Sequence, residues 1–254
     1  MPVTNTTADA IERAALRAFP ALEETDLGGW ILRYANGQAR RANSVQALEH
    51  DGTPLAAKVA SAEEWYADRD WPPSFRMTHR SSPEELDAEL DGRGYRFQDR
   101  TGVLVRPLQP GGRVEVSITS RFTQEWLDEL VDSNPYMSGR RATLSQTLNL
   151  IEPATAFAVI REGSTVVATG LGVADGELLG VFSVSTKPAF RRRGLARRMS
   201  ESLMAWGIDQ GASLAYLQVM HENTAAWQLY ESMGFTFGYD YWYRSPAPSP
   251  LHGV

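Results

Sequence analysis

Thr186-Lys187-Pro188-Ala189-Phe190-Arg191-Arg192-Arg193-Gly194-Leu195-Ala196 is the stretch on which the reading of this chain turns. An apolar run, Leu178 to Val184, reads as a strand that leads into it. Gly194 to Asp209 then carries Leu195, Met199, Leu203 and Trp206 on one helical face. Gly194 lets the backbone come close to a ligand, and Ala196 keeps the first helical turn uncrowded. Free N–H groups and the dipole at a helix start favour an anion, and three arginines add charge-assisted donors. Taken alone, the turn reads equally as a pyrophosphate site or as a solvated basic helix start.

Thirty residues on, the chain reads Leu217-Gln218-Val219-Met220-His221-Glu222-Asn223-Thr224-Ala225-Ala226-Trp227-Gln228-Leu229-Tyr230-Glu231-Ser232-Met233-Gly234-Phe235. That is a strand, an Asn-started helix to Met233 that Gly234 ends, and a further strand, Phe235 to Tyr243. With Arg191 to Ala196 matching Arg/Gln-x-x-Gly-x-Gly/Ala, the two segments resemble the GNAT superfamily of acetyl-CoA-dependent N-acetyltransferases. The resemblance covers Val114 to Arg244 and makes acetyl-CoA the expected cosubstrate, with no metal. It implies that Val184, Ser185 and Thr186 pair with the pantetheine arm, and that the N–H of Val184 or its neighbour polarises the thioester carbonyl. Arg191, Arg192, Arg193, Gly194, Leu195, Ala196 and Arg197 would wrap the pyrophosphate. Asn223 would reach the cofactor arm, a role compatible with capping its helix. Tyr230 matches the tyrosine that protonates the departing thiolate; its other reading is a tyrosine packed on the sheet. Where some members carry a glutamate base, this chain has Gly180, leaving Glu177, Glu222, His221 or a water chain as alternatives.

Working outward, the C-terminal part opens with a strand at Val114 to Ile118. Thr123 caps a helix bearing Trp126, Leu127, Leu130 and Val131, and a second helix covers Arg141 to Leu150. Strands follow at Ala156–Ile160, Thr165–Val173 and Leu178–Val184, and another at Leu214–Val219. Pro107 to Gly112 reads as a linker, and Ser245 to Val254 as a Pro-rich mobile tail. In the first half, Asp9 to Phe19 reads as a helix capped by Thr7 or Asp9. Gly28–Tyr34 and Ala39–Leu48 read as strands around a tight turn at Asn36-Gly37. Leu55–Ala67 is a helix, Phe75–Thr78 a strand, and Ser82 caps a helix with Pro83 first. Tyr95–Arg106 is a strand or hairpin.

A constant shift of 140 places Pro54 on Gly194 and Gly94 on Gly234 without gaps. The first half then reads as a worn copy of the second, resembling the degenerate half of tandem-GNAT proteins. The expected fold is α+β, with two GNAT-like domains, 1–108 and 113–254, each a mixed, mostly antiparallel twisted sheet flanked by helices. Under this shift Asp51 replaces Arg191, Pro83 replaces Asn223 and Leu90 replaces Tyr230. An aspartate facing a phosphate is electrostatically wrong, so the first copy is not expected to bind CoA. Arg33, Arg40, Arg41 and Asn43 form an unusual cluster on its first hairpin, lining a substrate cleft or merely exposed.

The 254 residues carry 25 Lys plus Arg against 31 Asp plus Glu, a net charge of −6, which argues against general nucleic-acid binding. The absence of cysteine excludes disulfides, thiolate metal sites and a cysteine nucleophile. His50, His79, His221 and His252 form no close pair. No signal pattern or run of membrane length is present, so a cytoplasmic, non-membrane protein is expected. The expectation is an acetyltransferase acting on a primary amine of a small molecule by direct attack, as monomer or homodimer. The alternatives are a non-catalytic acetyl-CoA sensor and an interaction module.

Overall fold

The computed structural model describes residues 3–110 and 116–246. The expected linker end, the start of the strand at Val114 and most of the Pro-rich tail lie outside them. Seven helices and a mixed sheet make this an α+β protein among the described residues. No described helix is long and apolar enough to cross a membrane.

The elements of the first part are α1 (Asn5–Ala18), β1 (Glu23–Leu27), β2 (Trp30–Tyr34), β3 (Val45–Ala47), α2 (Leu55–Ala67), β4 (Phe75–Thr78), α3 (Leu86–Gly92) and β5 (Arg96–Pro107). The second part has β6 (Ser117–Thr119), α4 (Gln124–Asp132), α5 (Arg141–Asn149), β7 (Ala154–Glu162), β8 (Thr165–Asp175), β9 (Leu178–Thr186), α6 (Leu195–Asp209), β10 (Leu214–Met220), α7 (Thr224–Ser232) and β11 (Thr236–Ser245). The shift of 140 also relates the bounds of the observed elements. It carries the first residue of α2 onto that of α6, and the first residue of β5 onto that of β11. β4 and α3 land within β10 and α7 under the same shift.

The chain forms two compact units, each drawing on both sequence halves. One comprises 1–20, 103–219 and 223–239; the other comprises 21–102, 220–222 and 240–254. In the first unit the strands run β11, β5, β10, β9, β8, β7, β6. β7, β8 and β9 are antiparallel, and β10 lies parallel to β9. α6 seats closely on β8 because Gly170 and Gly172 present no side chain. A Cβ at Gly170 would lie 2.7 Å from Met199, and one at Gly172 would lie 3.2 Å from Leu203. Its core joins Met199 and Leu203 of α6 to Ala158, Val167, Leu179 and Leu217 of the strands, and to Leu104 of β5.

In the second unit the strands run β1, β2, β3, β4, β11, β5. Trp30, Leu32, Val45, Phe75 and Met77 meet Val59, Ala62 and Tyr66 of α2 and Leu86 and Leu90 of α3. The end of β11 belongs here: Tyr241–Arg244 pairs antiparallel with Thr78–Phe75. Arg244 locks it down, bonding Asp87 at 2.8 Å and 3.0 Å, the Tyr95 carbonyl at 3.1 Å, and Asp91.

Three local expectations change. The hairpin turn is Gly28-Gly29, joining β1 to β2. Asn36 and Gly37 do take positive φ, but no two-residue hairpin forms there; the chain makes a short helical turn at Arg40–Ala42 before β3. The reason is Asn43, whose side chain accepts from the N–H groups of Ala35 (2.8 Å) and Gly37 (3.0 Å) and donates to the Ala39 carbonyl (2.7 Å). One side chain thus satisfies the loop backbone in place of a strand ladder. Pro83 does not open α3, because Ser82 is tied to the sheet through its N–H to Ala47 (2.9 Å) and its carbonyl to the Trp30 indole (2.7 Å). At the N-terminus, Thr4 rather than Thr7 or Asp9 caps α1.

Candidate active site

A cleft of about 540 Å³ opens at the end of β9 in the first unit. β9 and β10 are in register only over Leu178–Gly180 against Leu214–Tyr216. Further along, β9 carries a bulge: Phe182 faces Leu171 and Ser185 faces Thr169, with Ser183 at φ +50° between. Ser183 and Val184 therefore fall outside the β8 register. A bulge of this kind re-aims backbone groups at a strand's end.

The cleft is walled by Val184, Ser185 and Thr186 of β9, and by Phe190, Arg191, Arg192, Gly194, Leu195, Ala196 and Arg197 around the start of α6. α7 adds Ala225, Ala226, Gln228, Leu229 and Tyr230, and Asn134 closes it from beyond α4. Gly194 caps α6 at φ +76° with no side-chain hydrogen bond, and Arg192 also has positive φ, +64°. Such turns make concavities of backbone N–H groups suited to anions. A Cβ at Gly194 would meet nothing within 4 Å, so no protein atom fills the space in front of it. Arg191 is steered by its Nε–H to the Thr186 carbonyl (3.2 Å), and Arg197 by Ser232 (2.7 Å).

Two of the expected residues stand elsewhere. Arg193 turns to Glu162, 2.5 Å away, and lies against Phe190. Asn223 does not line the cleft; its side chain accepts from the Ala226 N–H (3.2 Å) and caps α7. Tyr230 lines the cleft but is only 7% exposed, and its ring packs edge-on against Phe235. Burial raises its pKa, with a smaller opposing pull from a hydrogen bond with Ser200. Ser200 in turn donates to the Ala196 carbonyl (2.9 Å).

Asn134 was not foreseen. It donates to the Leu130 carbonyl (2.8 Å) and to Ser185 Oγ (3.2 Å), tying the end of α4 to the bulged strand. Beside it, buried Glu129 holds Ser133 (2.5 Å) and Lys187 (3.1 Å). Among the alternatives for a base, Glu177 is exposed at the opposite end of β9 from the cleft. His221, in the second unit, holds the buried Asp240 carboxylate at 2.7 Å, which also takes Arg100. Under the shift of 140, the turn that falls on Arg191 is acidic. Asp51 accepts from the Thr53 N–H (3.0 Å) and from Lys58 (3.0 Å), and these contacts, the backbone one first, hold its pKa well below the usual carboxylate range. Leu90, opposite Tyr230 under the shift, is buried core. Among the described residues no group of three or more His, Asp or Glu is placed to hold a metal ion.

A family model described as probable histone acetyltransferase Rv0428c C-terminal matches residues 7–244. The uncharacterized N-acetyltransferase YobR of Bacillus subtilis is 27% identical over 242 residues, covering 92% of this chain and 96% of that protein. The probable histone acetyltransferase Rv0428c of Mycobacterium tuberculosis is 30% identical over 236 residues, covering 92% of this chain and 72% of that protein. Among solved structures, a GCN5-related N-acetyltransferase from Kribbella flavida matches with a TM-score of 0.70 at 17% identity, over 96% of this chain and 97% of that one. A tandem GNAT protein from the clavulanic acid biosynthesis pathway matches with a TM-score of 0.62 at 11% identity, over 98% of both chains. The GNAT fold expected from Arg191–Ala196 and Asn223–Phe235 is borne out.

Proposed function

This chain belongs to the Rv0428c C-terminal acetyltransferase family of GNAT acyltransferases, and we propose that its cleft binds acetyl-CoA for transfer of the acetyl group to a primary amine of a small molecule. The observation that carries the reading is the left-handed turn at Gly194, which has no side-chain cap and opens on unfilled space beside Arg191 and Arg192. The N–H groups of Gly194 to Arg197 and the two guanidinium groups hold the pyrophosphate. Acetyl-CoA supplies the activated thioester. Val184, freed from the β8 register, offers its N–H to the thioester oxygen, where negative charge develops. The amine attacks directly, because the cleft lining holds no nucleophile in reach of a base. No carboxylate or imidazole stands in that lining, so water takes the amine's proton. Tyr230 returns a proton to the departing sulfur. The halves 1–108 and 113–254 are read as copies of one template, of which only the second keeps a CoA turn.

Titration calorimetry tests the binding step. Acetyl-CoA is expected to bind once per chain, and Arg191→Ala to weaken binding while flattening its salt dependence, because one phosphate contact is lost. Gly194→Ala places a methyl in open space but at positive φ. It should lower stability by roughly 1–2 kcal/mol and weaken acetyl-CoA more than that strain alone explains. Two equivalent sites per chain would contradict the worn-copy reading. Unchanged affinity in Arg191→Ala at every salt concentration would remove the arginine from the site. A panel of amines, including a lysine-bearing histone peptide, separates small from protein acceptors.

A further inference from the structure

One face of the second unit's sheet is polar and yet buried. The registers set Gln46, Arg76 and Tyr243 side by side on it. Ser74 and Ser245 follow two residues along their strands, on the same face. All five are at most 6% exposed. The loop after β2 lays Arg40 on the Tyr243 ring, with its guanidinium carbon 5.0 Å from the ring centre, while Arg76 covers Tyr241 at 3.8 Å.

Arg40 is 1% exposed. Its Nη1 lies 2.7 Å from Asp99, but none of its three nitrogens makes a hydrogen bond of proper geometry. The hydroxyls of Ser74 and Ser245 are buried and likewise lack partners. Asp99 reaches Arg40 from a backbone at φ +51°, a conformation uncommon outside glycine. Arg41 and Arg76 add positive charge around the same tyrosine. Around Arg40 a planar guanidinium fork and two unbonded hydroxyls meet a single carboxylate, Asp99, and that carboxylate reaches the guanidinium at Nη1 within ion-pair distance. Buried donors without acceptors are costly, and native proteins rarely keep them idle.

We infer that this face is a binding site for a compact oxyanion, the carboxylate or phosphate group of a small molecule, held by the Arg40 fork with Ser74 and Ser245. The site belongs to the repeat that lacks a CoA turn and stands apart from the argument for the cleft. Burial lowers the Arg40 pKa and Asp99 opposes that shift, so an additional anion reinforces the charged form.

The test uses the full chain, with sodium acetate and sodium phosphate each compared with sodium chloride at matched ionic strength. A saturable rise in Tm of about 3–6 °C is expected at ten times the half-saturating concentration of one or both oxyanions. A response to acetate alone identifies a carboxylate site, and to phosphate alone a phosphate site. Arg40→Met should abolish the response. Ser74→Ala with Ser245→Ala leaves every charge in place and should raise the half-saturating concentration about five- to tenfold, deciding the matter if the Arg40 variant does not fold. An equal response to chloride overturns the inference. So does a response lost in Arg191→Ala but unchanged in both site variants, which would put the anion at the α6 turn instead.

Discussion

Expressed alone, residues 113–254 should fail to give a cooperatively folding protein. A sequence cut in the linker looks harmless, but each compact unit takes chain from both sides of it. The fragment's share of the first unit loses α1 and the end of β5, which lies between β11 and β10. β10 becomes an open edge, and Leu104 leaves a hole in the core that seats α6. The share of the second unit shrinks to Tyr241–Arg244 and its neighbours without β4, and Arg244 loses Asp87, Asp91 and Tyr95. Losses on this scale exceed the roughly 5–15 kcal/mol by which a domain is stable. Circular dichroism and gel filtration of the fragment give the measurement: no sharp melting transition, with aggregation. Addition of 1–110 should restore a soluble complex that binds acetyl-CoA. A monomeric fragment with sharp melting and full acetyl-CoA affinity would show that the cut separates true domains.

What could be read from the residues, and what could not, follows from the range of the forces involved. α6 and β9 were legible because a helical stripe and an apolar run are local signals, and the anion-binding turn between them is built from adjacent residues. The shift of 140 was legible as element order, and it aligns α2 with α6 and β5 with β11 to the residue. No apolar alternation marks β1, because Glu23-Glu24-Thr25-Asp26 is exposed, at the end of the strand order and paired with β2 alone. Asn43 fooled the hairpin reading: the loop's backbone partners are one side chain several residues away, and Asn36-Gly37 signals only that a turn exists. In the cleft, the motif gives positions along the chain but not side-chain directions. Arg193 carries the motif's charge yet swings to Glu162, on a strand distant in sequence. Asn134 is the converse: before Pro135 it reads as a helix end, and only the packing of α4 on β8 brings it to Ser185, 51 residues away.

Tyr230→Phe should lower the maximal acetyl-transfer rate about 10²–10⁴-fold, the range for a lost general acid, while leaving acetyl-CoA affinity nearly unchanged. The ring is a packing element, edge-on to Phe235 and almost closed off from solvent, and phenylalanine fills the same space. The variant therefore removes one hydroxyl and little else. Tyr230 lines the cleft and its hydroxyl bonds with Ser200, and burial raises its pKa, so it stays protonated at neutral pH. The sign for pH follows: activity needs the neutral phenol and is lost only above its pKa. The raised value pushes that alkaline limb above the range of an ordinary tyrosine, and Ser200→Ala, by removing the opposing hydrogen bond, should push it further. Tyr230→Ala is a different experiment, since it also opens a cavity costing about 3–5 kcal/mol. Steady-state rates with a reactive amine, set beside melting temperatures for the two variants, separate the roles. Near-normal turnover by the Phe variant, with only the Ala variant impaired, would make Tyr230 a packing residue and leave water as the donor to the thiolate. A rate loss in the Phe variant at unchanged Tm places the proton on this hydroxyl, because its packing is the one property that substitution preserves.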